Sequence, residues 1–151
     1  MRNKIVEHKT VMIKEVIRGL NLKDNSHFLD ATLGAGGHTK AILEKYPNTK
    51  VIGIDKDEKA LAIARKNLLN FKNSISLHNL DFSSIEQIAK ISNFNKINGI
   101  LFDLGTSQIQ LNDNKRGFSF RYNAPLDMRM DEKQKNTAHE IVNKTSELEL
   151  N

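Results

Sequence analysis

The chain has no cysteine, no tryptophan and only two prolines in 151 residues. Without cysteine there is no disulfide, no Cys-ligated zinc and no thiol nucleophile, a composition that fits a cytoplasmic protein. No apolar run approaches the roughly 20 residues that a membrane-spanning helix needs. The start, Met1-Arg2-Asn3-Lys4-Ile5-Val6, lacks the apolar core and cleavage site of an export signal. A cytoplasmic location with no membrane partner is therefore expected. No His and carboxylate cluster has ligand spacing, so no metal site is expected either. Internal repeats and low-complexity segments are absent. Positive charge is present: 23 Lys and Arg face 18 Asp and Glu, for a formal charge of +5 and a pI near 9.4. An anionic partner such as RNA suits that balance where the basic residues cluster. A Lys- and Asn-rich surface that only solvates the fold suits it equally. One domain with a sizeable core is expected at this length, with 38% hydrophobic residues and a mean hydropathy of -0.49.

Glycine is sparse but concentrated. Leu29-Asp30-Ala31-Thr32-Leu33-Gly34-Ala35-Gly36-Gly37-His38 reads as an apolar strand ending in an acid, a glycine turn and a helix start. Such a turn gathers unhindered backbone N–H groups and the positive end of a helix at one crevice, where an α/β protein holds a nucleoside-type cofactor. Val51-Ile52-Gly53-Ile54-Asp55 is a second apolar strand ending in a carboxylate, the position that meets ribose hydroxyls.

The spacing predicts a helix over 11–20, with Met12, Val16 and Leu20 on one stripe and Thr10 as its N-cap. It predicts strands over 28–33, 51–55, 74–78 and 99–105. A helix over 38–46 closes at Pro47, and Asp57 caps another whose buried stripe is Leu61, Ala64 and Leu68. Ser83-Ser84-Ile85-Glu86 is a capping box, followed by an apolar face of Ile85, Ile88 and Ala89. This alternation implies a parallel sheet, with Asp30, Asp55 and Asp103 converging on one crevice at its carboxyl end. Residues 106–135 read as a long polar loop bearing Phe118, Phe120, Pro125, Leu126, Met128 and Met130. A loop of that length is usually functional or disordered, and the aromatic and Met positions argue against plain disorder. Capping boxes return at Thr137-Ala138-His139-Glu140 and Ser146-Glu147-Leu148-Glu149. A helix start so near the last residue, with few strands for a doubly wound sheet, suggests that the chain is cut short.

These segments, together with His8-Lys9-Thr10-Val11-Met12 and Gly53-Ile54-Asp55-Lys56-Asp57, resemble the bacterial 16S rRNA (cytosine-N4)-methyltransferase family, which uses S-adenosylmethionine (SAM). The resemblance runs nearly the whole chain. Its most specific part is Arg116-Gly117-Phe118-Ser119-Phe120-Arg121 followed by Pro125-Leu126-Asp127-Met128-Arg129-Met130-Asp131, after Gly99-Ile100-Leu101-Phe102-Asp103-Leu104-Gly105. Two places depart from the family. Thr10 stands where many members have proline, and Thr106-Ser107-Gln108-Ile109-Gln110-Leu111-Asn112 stands where they read V-S-S-P-Q-L-D. Members are longer, with further strands and an inserted helical substrate-recognition domain. The resemblance implies an α/β fold of the Rossmann-like class I SAM-dependent methyltransferase type, a parallel sheet with helices on both faces, truncated at about four strands. Residues 1–135 would be the N-terminal part of the SAM-binding domain, and 136–151 the start of the inserted domain. The implied reaction is methyl transfer to the N4 amine of a cytidine in the decoding region of 16S rRNA, with the small ribosomal subunit as partner.

By resemblance, Gly36, Gly37 and His38 contact the cofactor through the turn, Asp55 takes the ribose hydroxyls, Phe82 walls the adenine, and Asp103 and Gln110 complete the pocket. The residue pattern alone reaches Gly36, Gly37, Asp55 and Asp103. Each has a plainer alternative: the glycines could serve only a tight helix entry, and Phe82 by itself reads as core. Asp30 either shapes the turn or touches SAM, and His38 acts through its backbone N–H or its imidazole. His8 gains a site role only from the family pattern; His78 and His139 read as structural or exposed. Catalysis can come largely from positioning, worth several kcal/mol. An acceptor near the cytosine amine would hold it, and Asp103 is the catalytic candidate, although the D/N-P-P-Y/F sequence of many amino-methyltransferases is absent. Arg116, Arg121 and Arg129, with Lys115, are RNA-contact candidates, holding phosphates while Phe118 or Phe120 stacks a base. Alternatively the apolar residues pack the loop and the arginines pair with Asp127 and Asp131. Two rival classes remain. An NAD-type oxidoreductase would need glycine where Thr39 stands. A truncated, inactive remnant would leave the apolar edge at Ile100-Leu101-Phe102 open to self-association.

Overall fold

The computed structural model describes residues 10–91, 94 and 96–150. His8, singled out by the family pattern, lies outside them, as does the side chain of Ala89. The chain divides after Leu104 into two compact units.

The first unit is built on a four-stranded sheet in the order β3-β2-β1-β4. Its strands are β1 (His27–Asp30), β2 (Lys50–Asp55), β3 (Ile75–Asn79) and β4 (Gly99–Leu101), all paired in parallel. Four helices connect and cover them: α1 (Ile13–Leu20), α2 (Gly37–Lys45), α3 (Glu58–Asn67) and α4 (Ile85–Ile91). Alternation along the strands divides the core. Phe28 and Val51 face α1 and α2, packing with Ile17, Leu20, Ile42 and Leu43. Leu29, Ile52 and Ile54 face the other way and pack with Ile85 and Ile88 of α4. The α3 stripe of Leu61, Ala64 and Leu68 packs with Leu33. Helices therefore lie on both faces of a parallel sheet, as expected. Gly53 lets that packing close up: a Cβ there would lie 2.8 Å from Leu33 Cδ1 and 2.9 Å from Leu77 Cδ2. The strand order reverses between β1 and β4, and in such sheets the crevice beyond the carboxyl ends at the reversal is where ligands sit.

Several boundaries differ from expectation. β1 stops at Asp30 rather than 33: after the last ladder bond, Ala31 N–H to Leu101 O, the Thr32 N–H turns back onto Asp30 Oδ1. β4 stops at Leu101, which leaves Asp103 two residues past the strand. Thr10 is not the cap of α1; the helix starts at Ile13 behind Met12 in a left-handed conformation, φ 51°. Thr10 packs against Gly37 instead, Met12 is exposed, and it is the partly buried Ile17 and Leu20 that pack α1 against the core. Asp57 caps α3 as predicted, accepting from Lys59 N–H. Ahead of α4 the cap comes from Asp81, which accepts from Ser83 N–H at the start of a 3-10 turn over Phe82–Ser84. β3 and β4 are the edge strands of the sheet, and Ile100 of β4 is exposed, as are Phe102 and Leu104 just beyond it.

The second unit contains α5 (Gln108–Asn112), α6 (Ala138–Lys144) and α7 (Glu147–Leu150). Capping boxes open α5, from Ser107 and Gln110, and α6, from Thr137 and Glu140. The segment between them is organised by two arginines. Arg116, only 4% exposed, donates through Nη2 to the carbonyls of Arg129 and Met130 at 2.7 and 2.8 Å. Gly117, at φ 71°, brings the chain against Pro125 O where a side chain would clash. Arg129 grips Asp127 through two parallel bonds of 2.8 and 2.7 Å and donates to the carbonyls of Glu132 and Gln134. Paired N–H groups on a carboxylate fix geometry as well as charge. This stretch, expected as a long polar loop, is held by side chains donating to backbone carbonyls and by the Arg129–Asp127 pair.

Candidate functional site

Asp30, Asp55 and Asp103 mark the carboxyl end of the sheet, and each does something different. Asp55 ties the glycine turn to the loop after β2: Oδ2 accepts from Gly34 N–H at 2.7 Å and Oδ1 from Asp57 N–H at 2.8 Å. Burial pushes its carboxyl above the ordinary value, while the N–H groups of Asp57 and Gly34 pull the other way. A carboxylate has about four lone-pair positions, so the two that remain can accept from hydroxyls of a ribose.

Asp30 is buried beneath the turn. Oδ2 accepts from the Thr39 hydroxyl at 2.7 Å and Oδ1 from Thr32 N–H at 3.3 Å. Burial pushes its carboxyl up to about 6, against the lowering effect of the Thr39 hydrogen bond. Of its two expected roles, Asp30 performs the shaping of the turn. Thr39 occupies the place where a dinucleotide-binding turn has its third glycine, and its hydroxyl is the partner of Asp30.

Asp103 lies beyond β4, and its side chain is 48% exposed. Its backbone N–H donates to Thr32 Oγ1 at 2.6 Å, and its Oδ2 stands 3.9 Å from His38 Nδ1. His38 Nε2 lies 2.8 Å from Val11 O. A carbonyl oxygen only accepts, so Nε2 carries the hydrogen and Nδ1 faces Asp103. The imidazole thus joins the segment before α1 to the start of α2 and stands beside Asp103 without bonding it.

The glycines have packing reasons as well. Gly36, at φ 83°, opens α2, and a Cβ there would meet Leu68 Cδ1 at 2.8 Å; Gly37 is covered by Thr10. Gly36 N–H is spent on Leu33 O at 2.8 Å. The backbone N–H groups of the first turn of α2 still project from the helix start, as in any α-helix. Gly34, at φ 54°, meets nothing nearer than 4.0 Å on its Cβ side, which leaves open space above the turn.

Phe82 is not core: it is 40% exposed and meets the Phe102 ring edge-on, 5.9 Å between centroids. Lys56 pairs with Asp81 at 3.4 Å, and Asn79 Nδ2 donates to the carbonyls of Asp55 and Lys56. The ends of β2 and β3 are thereby tied together beside Phe82. Sequence reasoning singled out neither Asn79 nor Thr32. It also missed Asn67, whose Nδ2 donates to Ala35 O of the turn.

The second unit contains the remaining candidates. Gln110 is buried, and its Oε1 accepts from Ser107 N–H in the capping box. Arg116, named as an RNA-contact candidate, is 4% exposed, and its guanidinium is turned onto the carbonyls of Arg129 and Met130. Arg129 is committed to Asp127, the pairing that its plainer alternative anticipated. Arg121 is exposed, next to Phe120 at 110% exposure and Tyr122 at 40%. Phe118 lies under the Arg116 guanidinium, 5.4 Å from Cζ to the ring centroid. Among the described residues no helix is long and apolar enough to cross a membrane, and no group of three His, Cys, Asp or Glu is arranged to hold a metal.

The chain is similar to ribosomal RNA small subunit methyltransferase H of Thermotoga neapolitana, 43% identical over 150 residues, covering 99% of this chain and 50% of the relative. The same enzyme of a Cyanothece species is 45% identical over 143 residues, covering 95% of this chain and 47% of the relative. The chain spans about half the length of the curated relatives it matches. Among solved structures, a protein described as an rRNA-methylase from Clostridium thermocellum superposes with a TM-score of 0.51 at 25% identity, over 62% of this chain and 49% of that one. NSun6 from Pyrococcus horikoshii shares the fold, with a TM-score of 0.54 at 21% identity, over 64% of this chain and 24% of that one. The sheet is therefore that of the Rossmann-like class I SAM-dependent methyltransferases. A model of the MraW methylase family matches residues 5–151, and the chain belongs to that family.

Proposed function

We propose that this chain provides the cofactor-binding part of a SAM-dependent methyltransferase acting on rRNA of the small ribosomal subunit, with the N4 amine of a cytidine in the decoding region of 16S rRNA as acceptor. The observation that carries this reading is the Gly34–Asp55 hydrogen bond of 2.7 Å, which holds the glycine turn and the acid at the end of β2 at one crevice. Asp55 would take the ribose hydroxyls and the exposed face of Phe82 the adenine. The start of α2, at Gly36, Gly37 and His38, would take the amino-acid tail. SAM supplies an electrophilic methyl group when bound. Asp103, half exposed at the rim, would complete the cofactor pocket with its carboxylate and would also accept from the N–H of the incoming amine and hold it in line. Residues 1–135 would be the N-terminal part of the cofactor domain and 136–151 the start of an inserted helical domain. The setting would be cytoplasmic. Gln110 would act by shaping its own helix start, where its side chain is engaged.

Titrating SAM and, separately, NAD into the purified chain by calorimetry tests this reading. Saturable SAM binding without NAD binding is the expected outcome; a folded chain that binds neither overturns it.

For RNA contact, the exposure of Arg121 and Phe120 favours these two over Arg116 and Arg129. Base–aromatic stacking is worth about 1–3 kcal/mol per base. Phe120→Ala should therefore weaken binding of a single-stranded rRNA oligonucleotide about fivefold or more, leaving SAM affinity as it was. Arg121→Ala should lower the slope of log affinity against log salt by about 0.7. Anisotropy titrations at several salt concentrations measure both, and unchanged affinity in both variants excludes this contact.

The exposed edge at β4 favours a second reading, in which this chain by itself binds cofactor without transferring a methyl group and associates through that edge. Sizing across a concentration series distinguishes a monomer from such an assembly.

A further inference from the structure

Asp103 is held through its backbone N–H, by the Thr32 hydroxyl. The ladder between β1 and β4 ends with Ala31 N–H on Leu101 O at 2.9 Å. Asp103 lies beyond it, in a stretch flanked by exposed Phe102 and Leu104. Its carboxylate stands 3.9 Å from His38 Nδ1, too far for a hydrogen bond. Its backbone N–H, in contrast, reaches Thr32 Oγ1 at 2.6 Å, across 71 residues of chain.

Thr32 is itself fixed from below. Its N–H donates to Oδ1 of Asp30, whose other oxygen takes the hydroxyl of Thr39 in α2. Asp30 and Thr39 are both buried, at 1% and 0% exposure. A continuous set of hydrogen bonds therefore runs from the first turns of α2, through Asp30 and Thr32, to Asp103. Neither a longer β4 nor a bond to the carboxylate would be needed to hold Asp103 beside the turn.

We propose that Thr32 is a positioning residue: its hydroxyl fixes the backbone of Asp103 so that the carboxylate is presented at the cofactor crevice. This rests on the SAM-binding reading above, but the link between Thr32 and Asp103 can be measured without it. Valine has the shape of threonine without the hydroxyl, and serine keeps the hydroxyl without the methyl.

Three substitutions make the test: Thr32→Val, Thr32→Ser and Asp103→Ala, with Thr32→Val also placed in the Asp103→Ala background. The readouts are hydrogen exchange of the Asp103 amide by NMR and SAM affinity by calorimetry. In Thr32→Val the Asp103 amide is expected to lose protection and SAM affinity to fall about tenfold, the scale of one lost hydrogen bond. Thr32→Ser should restore both. In the Asp103→Ala background Thr32→Val should change SAM affinity no further, whereas a general structural role would add its own loss.

Unchanged amide protection together with wild-type SAM affinity in Thr32→Val overturns the proposal. Should Thr32→Val not fold, Thr32→Ala makes the same comparison. Absence of SAM binding in every chain, wild type included, refutes the cofactor reading, and the amide measurement then decides the role of Thr32 alone.

Discussion

Asp55→Ala is expected to abolish measurable SAM binding while leaving the sheet folded, a loss of at least about 100-fold. The size follows from what the carboxylate holds. A hydrogen bond to a charged partner is worth about 1.5–3 kcal/mol, and Asp55 accepts two, from Gly34 and Asp57 N–H. Alanine leaves both donors without their partner and releases the glycine turn from the end of β2. It also removes the oxygens offered to the ribose. The internal bonds count towards stability; hydrogen bonds from two ribose hydroxyls to the carboxylate together reach about 3 kcal/mol of binding, and about 1.4 kcal/mol is tenfold in affinity. Asp55→Asn keeps one acceptor oxygen, so it should retain one of the two backbone bonds and fall between wild type and alanine. Calorimetry with far-UV dichroism as the folding control measures the series. SAM binding in Asp55→Ala within tenfold of wild type would show that the ribose is held by another group.

The second large effect is on stability. Burial pushes the Asp30 carboxyl up to about 6 from an ordinary value of 3.8. Between those values the folded chain keeps a proton that the unfolded chain has released. Stability must therefore fall as pH rises from about 4 to about 6, then level off. At 1.36 kcal/mol per pKa unit the loss is about 3 kcal/mol. Asp30→Asn should abolish that fall, since an amide carries no charge to bury. Its oxygen can accept from Thr32 N–H, and its NH2 group can donate to Thr39 Oγ1 in place of the present bond. Urea unfolding at pH 4 and pH 7 compares the two chains. The variant should gain on wild type as pH rises and be the more stable above pH 6. A stability difference that is the same at both pH values would refute a raised Asp30 carboxyl. Asp55 is shifted in the same direction, so only the difference between the two chains isolates Asp30.

The alternation of strands and helices was legible because it rests on local periodicity. So were the Asp57 cap and the stripe of Leu61, Ala64 and Leu68, both of which depend on residues within a few positions of one another. Strand ends were not, because they depend on neighbours distant in sequence: the β1–β4 ladder runs only as far as the bond from Ala31 N–H to Leu101 O. The α5 helix has only five residues and no apolar period. Its Ser107 and Gln110 nevertheless carry the spacing of a capping box, a signal that was present but not used. Arg116 illustrates a harder limit. Composition cannot separate a buried guanidinium from a displayed one, and only the carbonyls of Arg129 and Met130, gathered around it by the fold, decide the matter. In the candidate site the acids could be read from the strand ends. Thr32 and Asn79 could not, since each acts on a residue far away in the chain.

The strand order also governs how the sheet assembles. β1 lies between β2 and β4, so its two pairings differ greatly in the length of chain they enclose. His27 pairs with Lys50 soon after β1 in the chain, whereas the contact of His27 with Asn98 spans 71 residues. Closing a loop about threefold longer costs about 1 kcal/mol more in chain entropy. Contacts between distant parts of a chain are also the slow ones to form. The docking of β4 is therefore the entropically dearest step in building the sheet, and it is the step that brings Asp103 to Thr32.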